Sequence, residues 1–124
     1  MKAFLLAAGY GTRLRPLTEI VPKCLVPING KPLLRYWIDL FEKHGIDEVL
    51  INLHYLSEQV VKYVENENTS IKWHFTYEQE LLGSGGTIFA NQDFIKDNEP
   101  FFICYADNLT NLNLTDMLNY HLNS

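Results

Sequence analysis

Apolar positions along this chain come in short blocks, and their spacing switches repeatedly between two periods. Residues 2–7 (K-A-F-L-L-A) are almost wholly apolar without alternation, which predicts a central parallel strand covered on both faces. Leu33, Trp37, Leu40, Phe41 and His44 recur at helical spacing. Residues 32–44 therefore read as an amphipathic helix, with Pro32 in its first turn and Gly45 as its stop. His44 lies in this stripe and is read as a core-edge residue rather than a ligand. Residues 48–53 (E-V-L-I-N-L) predict a second strand, and Ser57 is placed to cap a helix buried through Val60, Val61 and Val64. Residues 66–70 form a polar loop. Residues 71–77 alternate as a half-exposed third strand with Trp73 and Phe75 on one face. Residues 83–86 (G-S-G-G) read as a glycine loop, with a helix starting near Thr87. Residues 101–105 predict a fourth strand, and Asn113 caps a last helix carrying Leu114, Met117, Leu118 and His121.

Strands thus alternate with helices, which predicts the α/β class with a doubly wound, mainly parallel sheet. The length allows one domain, and no repeat, low-complexity tract or linker divides it. Ligands of such sheets gather beyond the carboxyl ends of the strands. Three polar motifs fall there: Gly9 and Gly11 after the first strand, residues 78–85 after the third, and Asp107 after the fourth.

Composition narrows the classes of partner. With 47% hydrophobic and 20% charged residues the chain reads as a soluble globular protein. A formal charge of −5 provides no footprint for nucleic acid or an anionic membrane. The apolar start is too short for a signal peptide or a membrane span. Cys24 and Cys104 lack metal-type spacing and secretory context, so reduced thiols in the cytoplasm are expected.

A small anionic ligand stays compatible with that balance, because local charge can oppose the total. In residues 5–27 (L-L-A-A-G-Y-G-T-R-L-R-P-L-T-E-I-V-P-K-C-L-V-P) a strand runs into a glycine loop followed by Arg13, Arg15 and Lys23. Glycines allow close backbone approach and leave N–H groups aimed at anions, and the cations can neutralise a polyphosphate. Neither familiar phosphate motif fits. Leu14 stands where a dinucleotide fold needs its third glycine, and Gly30-Lys31 is followed by Pro32 rather than by the serine or threonine of a P-loop. Arg15 is read equally as an ion-pair partner or a ligand contact. Asp107 ends an apolar strand, where a carboxylate is costly unless paired or bound to a metal. Ser84 has no partnered base, and His54 and His74 read as strand or loop residues.

The string G-Y-G-T-R-L-R-P-L-T, then P-K-C-L-V-P-I-N-G-K-P-L-L, E-Q-E-L-L-G-S-G-G and Y-A-D-N-L, resembles the signature of the sugar-phosphate nucleotidylyltransferases over essentially the whole chain. The resemblance implies a Rossmann-like nucleotidyltransferase fold and transfer of a nucleoside monophosphate from a nucleoside triphosphate to a sugar 1-phosphate, releasing pyrophosphate. It implies that Gly9, Gly11, Thr12 and Arg13 wrap the triphosphate, that Lys23 is the second cation, and that Asp107 holds Mg²⁺. Leu6, Ala8 and the segment from Glu78 to Gly83 would recognise the base. Ala106 stands where the family normally has glycine, a mild departure beside the metal ligand.

An ionised Glu78 only accepts hydrogen bonds, which suits guanine's N1–H and N2–H₂ edge better than adenine or cytosine. GTP with mannose 1-phosphate is then the expected pair. Uracil and thymine also offer one donor, and N-L-H-Y-L with L-L-G-S-G-G resembles N-acetylmuramate 1-phosphate uridylyltransferases, so UTP and dTTP stay open. Catalytic domains of the family are longer than this chain. The resemblance therefore implies an amino-terminal, nucleotide-binding part spanning residues 1–124, with the sugar site and a second metal-binding aspartate beyond Ser124. An inactive nucleotide-binding module and a plain interaction domain are the alternatives, and an oligomer remains open.

Overall fold

The structure is a computed structural model that describes residues 1–9, 16, 19–108 and 113–123. Its centre is a sheet of parallel strands. β1 (Lys2–Leu6) lies between β4 (Glu48–Leu53) and β6 (Phe101–Tyr105), and β5 (Lys72–Tyr77) adds outside β4, giving the order β5-β4-β1-β6. The helices are α1 (Leu33–Lys43), α2 (Ser57–Asn66), α3 (Gly83–Ala90) and α4 (Leu114–Leu122). The steps from β1 to β4 and from β4 to β5 run in one direction along the sheet, and the step to β6 reverses past β1. Right-handed crossovers then put α1 and α2 on one face and α3 on the other.

Burial follows from this arrangement, because successive side chains of a strand point to opposite faces. Ala3, Leu5, Val49 and Ile51 pack in one cluster with Leu34, Trp37, Ile38 and Phe41 of α1 and Val60 and Val64 of α2. Phe4 faces the other way and is fully buried. There it meets Phe94 and Phe101 edge to face, with ring centroids 5.3 and 5.7 Å away. An apolar run covered on both sides is what residues 2–7 predicted.

The short hairpin of β2 (Pro27–Ile28) and β3 (Lys31–Pro32) turns at Asn29-Gly30, with φ of 53° and 76°. Positive φ at both central residues is the two-residue hairpin geometry that Asn-Gly favours. Gly45 (φ 73°) follows the end of α1, and Asn113 Oδ1 accepts the Asp116 N–H at 3.0 Å as the cap of α4. Three local expectations change. Pro32 is the last residue of β3 and precedes α1 rather than entering its first turn. Ser57 is the first residue of α2, because Leu56, at φ 52°, takes the cap position with no side-chain bond. The expected loop at 83–86 is instead the first turn of α3, entered through Gly83 at φ 74°. A Cβ at Gly86 would meet Leu82 Cβ at 3.0 Å, so glycine permits the tight packing of that turn.

Among the described residues β6 pairs only with β1, and Ile103 and Tyr105 are exposed on it. Among the described residues no helix is long and apolar enough to cross a membrane.

Candidate active site

The strand order reverses between β1 and β6, and the loops leaving the carboxyl ends of these strands part there to leave a crevice. A cleft of about 280 Å³ lies at that rim. Its floor and walls come from the ends of all four long strands: Leu6 at the end of β1 with residues 7–9 beyond it, Asn52 of β4, Glu78 beyond β5, and Tyr105–Asp107 at the end of β6. Lys23, Cys24, Leu81, Gly83 and Ser84 also line it.

Lys23 opens a short 3₁₀ turn (Lys23–Leu25). Cys24 beside it is 2% exposed in the core, which anchors the turn while the lysine stays outside. Lys23 Nζ reaches Asp107 Oδ2 at 3.2 Å, joining positions 84 residues apart. Both side chains are partly open to solvent, so a ligand entering the cleft can reach either.

Asp107 is aimed by the residue before it. The Ala106 N–H donates to Leu6 O at 3.0 Å, and the buried Trp37 Nε1–H donates to Ala106 O at 3.2 Å. Ala106 is 1% exposed and does not have positive φ, so alanine fits without the backbone freedom of glycine. The Asn108 N–H then closes a turn onto Tyr105 O at 3.1 Å. Tyr105 Oη donates to Ser84 Oγ at 3.1 Å, linking the end of β6 to the first turn of α3.

Glu78 is 6% exposed and its carboxylate is held by neutral donors. Oε2 accepts from Asn52 Nδ2 at 3.1 Å and from the Thr87 hydroxyl at 2.5 Å, and Oε1 accepts the Leu82 N–H at 3.2 Å. The preference for guanine was read from Glu78 acting only as an acceptor toward the N1–H and N2–H₂ edge. Oε2 is engaged by both of its donors, so Oε1 is the oxygen with acceptor capacity left.

Leu6, Ala8, Gly9, Lys23, Glu78, Gly83 and Asp107 therefore line one cleft. Gly11, Thr12, Arg13 and Arg15 lie outside the described residues. Asn52, Thr87 and the Tyr105–Ser84 link had no part in the reading of the motifs. A polar Asn52 inside the apolar run E-V-L-I-N-L was the available signal, since such a residue at a strand's carboxyl end needs partners. Burial pushes the thiols of Cys24 and Cys104 up to about 12, so neither serves as a nucleophile near neutral pH.

Metal binding can be judged from the donor set. Among the described residues no group of three His, Cys, Asp or Glu side chains is placed to hold an ion. Among the described residues lining the cleft, Glu78 is 6% exposed, whereas Asp107 offers a partly exposed carboxylate. That fits Mg²⁺, which commonly takes one or two carboxylates and completes its shell with phosphate oxygens and water.

Comparison with known proteins identifies the family of the chain. A family described as "Nucleotidyl transferase" matches residues 2–124. The mannose-1-phosphate guanylyltransferase catalytic subunit beta of Danio rerio is 37% identical over 124 residues, covering 98% of this chain and 34% of that protein. The UTP–glucose-1-phosphate uridylyltransferase of a Synechocystis strain is 32% identical over 136 residues, again covering 98% of this chain and 34% of that protein. Among solved structures, HddC from Yersinia pseudotuberculosis complexed with GMP-PN superposes with a TM-score of 0.85 at 27% identity, covering 99% of this chain and 55% of that one. The chain thus spans about a third of the length of these relatives and about half of that solved structure. With the family match running through the glycine loop, Lys23, Glu78 and Asp107, the chain belongs to the nucleotidyl transferase family.

Proposed function

We propose that residues 1–124 form the amino-terminal, nucleotide-binding part of an enzyme that transfers a nucleoside monophosphate from a nucleoside triphosphate to a sugar 1-phosphate. GTP with mannose 1-phosphate is the leading pair, and a nucleotide sugar and pyrophosphate are the products. The observation that carries this reading is the Lys23–Asp107 pair, 3.2 Å apart across the cleft at the reversal of strand order. A cation and a carboxylate held together at that point suit a metal-complexed polyphosphate: the lysine meets phosphate oxygens and the carboxylate meets the ion.

The chemistry asks little proton transfer of the protein. A sugar phosphate has a second pKa near ~6, by analogy with phosphorylated side chains, and is largely dianionic at neutral pH. Its oxygen attacks the α-phosphorus directly once the reactants are aligned. Charge grows on the departing pyrophosphate, and Lys23, with Arg13 and the backbone N–H groups of Gly11 and Thr12 in the loop, would stabilise it electrostatically. Asp107 would hold Mg²⁺, which neutralises phosphate charge when bound. Glu78 Oε1, Leu6 and Ala8, with Gly83 nearby, would meet the base.

The preference for GTP draws on the guanylyltransferase relative rather than on Glu78, since one free acceptor receives guanine N1–H and uracil or thymine N3–H equally well. Uridylyl or thymidylyl transfer is the second reading for that reason. The test is thermal unfolding of the chain with Mg²⁺ and GTP, UTP, dTTP, ATP or CTP, because a ligand that binds only the folded state raises its stability. Stabilisation by GTP above the rest is expected. Stabilisation by none of them would refute nucleotide binding, and pyrophosphate exchange with a panel of sugar 1-phosphates then examines the transfer itself.

A further inference from the structure

Asn52 is only 5% exposed, yet its amide reaches three other segments of the rim. Oδ1 accepts the Ala7 N–H at 2.6 Å, while Nδ2 donates to Glu78 Oε2 at 3.1 Å and to Thr87 Oγ1 at 3.3 Å. The sheet register accounts for the first bond. Leu6 opposite Asn52 is the last pair of the β1–β4 ladder, so the Ala7 N–H lies just past the ladder, where the chain leaves for the glycine loop. A partly buried N–H past the ladder has no strand partner and needs another acceptor. The Asn52 side chain supplies it and so fixes where the loop departs.

The remaining bonds run in one direction. Asn52 donates to Thr87, Thr87 donates to Glu78, and Asn52 also donates to Glu78 directly. Oε2 of Glu78 is thereby turned inward, and Oε1 stays beside the Leu82 N–H with capacity toward the cleft.

We propose that Asn52 is a positioning residue for nucleotide recognition: one buried amide sets both the exit of the loop after β1 and the orientation of the Glu78 carboxylate. This rests on the nucleotide-binding reading above. It also makes a stringent demand, because the hydrogen-bond polarity of the cluster can be reversed by exchanging the two side-chain chemistries. Asn52→Asp alone sets two carboxylates against each other. Glu78→Gln alone sets an amide NH₂ against a donor whichever way it is flipped, toward Asn52 or toward the Leu82 N–H. In the double variant the carboxylate now at position 52 would still accept the Ala7 N–H. The amide now at position 78 would donate its NH₂ to that carboxylate and to Thr87 Oγ1. The Thr87 hydroxyl would turn to donate to position 52, and the amide oxygen at position 78 would still face Leu82 and the cleft. Every partner is satisfied again, and total charge is unchanged.

The experiment is calorimetric titration of the 124-residue chain with GTP, UTP and ATP in Mg²⁺, alongside thermal unfolding, for wild type, N52D, E78Q and N52D/E78Q. Each single variant is expected to lose roughly tenfold or more in affinity for the favoured nucleotide, the order of loss that an unsatisfied buried polar group brings. Each should also narrow that nucleotide's preference over ATP. The double variant is expected to recover both the unfolding temperature and the preference. Single variants that bind like wild type would overturn the proposal. So would a double variant that regains neither property, or one that regains the unfolding temperature while the preference stays lost, since the cluster would then be structural only. If a single variant does not fold, Thr87→Val removes only the hydroxyl and should narrow the preference, and an unchanged preference would count against the proposal. A wild-type chain that binds no nucleotide refutes the nucleotide reading itself, a separate result from normal binding that ignores position 52.

Discussion

Replacing Lys23 with methionine separates the binding role of its cation from any role in holding the fold. The stem of the side chain is kept and only the ammonium is lost. That group makes a 3.2 Å pair with Asp107, and both side chains are partly solvated, at 30% and 46% exposure. Exposed pairs of this kind contribute roughly 0–1 kcal/mol, which is at most about 4 °C of unfolding temperature for a domain of this size. Lys23 lies in the 3₁₀ turn anchored by buried Cys24, so the turn itself should survive. A charged hydrogen bond to a phosphate is worth more, about 1.5–3 kcal/mol. Taking about 2 kcal/mol, affinity falls roughly 30-fold. At a nucleotide concentration of about 100 Kd, wild type gains about 2.7 kcal/mol, or roughly 11 °C. The variant at the same concentration gains about 0.9 kcal/mol, roughly 3 °C. Differential scanning fluorimetry with and without Mg²⁺–GTP reads both quantities. Lys23→Met that unfolds far earlier than wild type without ligand, yet keeps the full nucleotide shift, would show a structural lysine and sink the argument.

Two further outcomes follow from the packing behind the cleft. Trp37→Phe keeps a ring against Phe41, 5.6 Å away, but removes the donor to Ala106 O. An unpaired buried carbonyl costs about 1–3 kcal/mol, so unfolding should come about 4–12 °C earlier. Nucleotide binding that depends on Mg²⁺ should also weaken, as titration calorimetry would detect, because Ala106 aims Asp107. Cys24 and Cys104, raised by burial to about 12, favour the protonated thiol in the folded state. Their contribution is fully present below the unfolded thiol pKa and is lost as pH rises toward about 12. Chemical denaturation between about pH 8 and 11 should show this decline flattened in the Cys24→Ala/Cys104→Ala variant, and an equal decline in both proteins would contradict the burial argument.

Much of the architecture was legible because its causes are local. The unbroken apolar run at residues 2–7 requires cover on both faces, and Phe4 on one side with Leu5 on the other is that requirement met. Asn29-Gly30 and Gly45 announce positive φ through residue type alone, and Asn113 announces a cap. Differences arose where a neighbouring residue's geometry or hydrogen bond outweighed the signal of residue type. Residues 83–86 look like a loop by composition, but the Glu78 carboxylate takes the Leu82 N–H and a helix begins there. Ser57 is a good cap in isolation, yet Leu56 at φ 52° holds that place.

The sequence by itself determined the alternation of strand and helix, the motifs on the strand ends and the residue types able to handle phosphate and metal, since these depend on spacing and side-chain chemistry. Only the tertiary structure decided that Lys23 and Asp107 meet across 84 positions, that the strand order reverses beside them, and that Glu78 has one oxygen committed to Asn52 and Thr87. Periodicity says which face of an element is apolar. It carries no record of which buried polar groups will find each other once the sheet has closed around them.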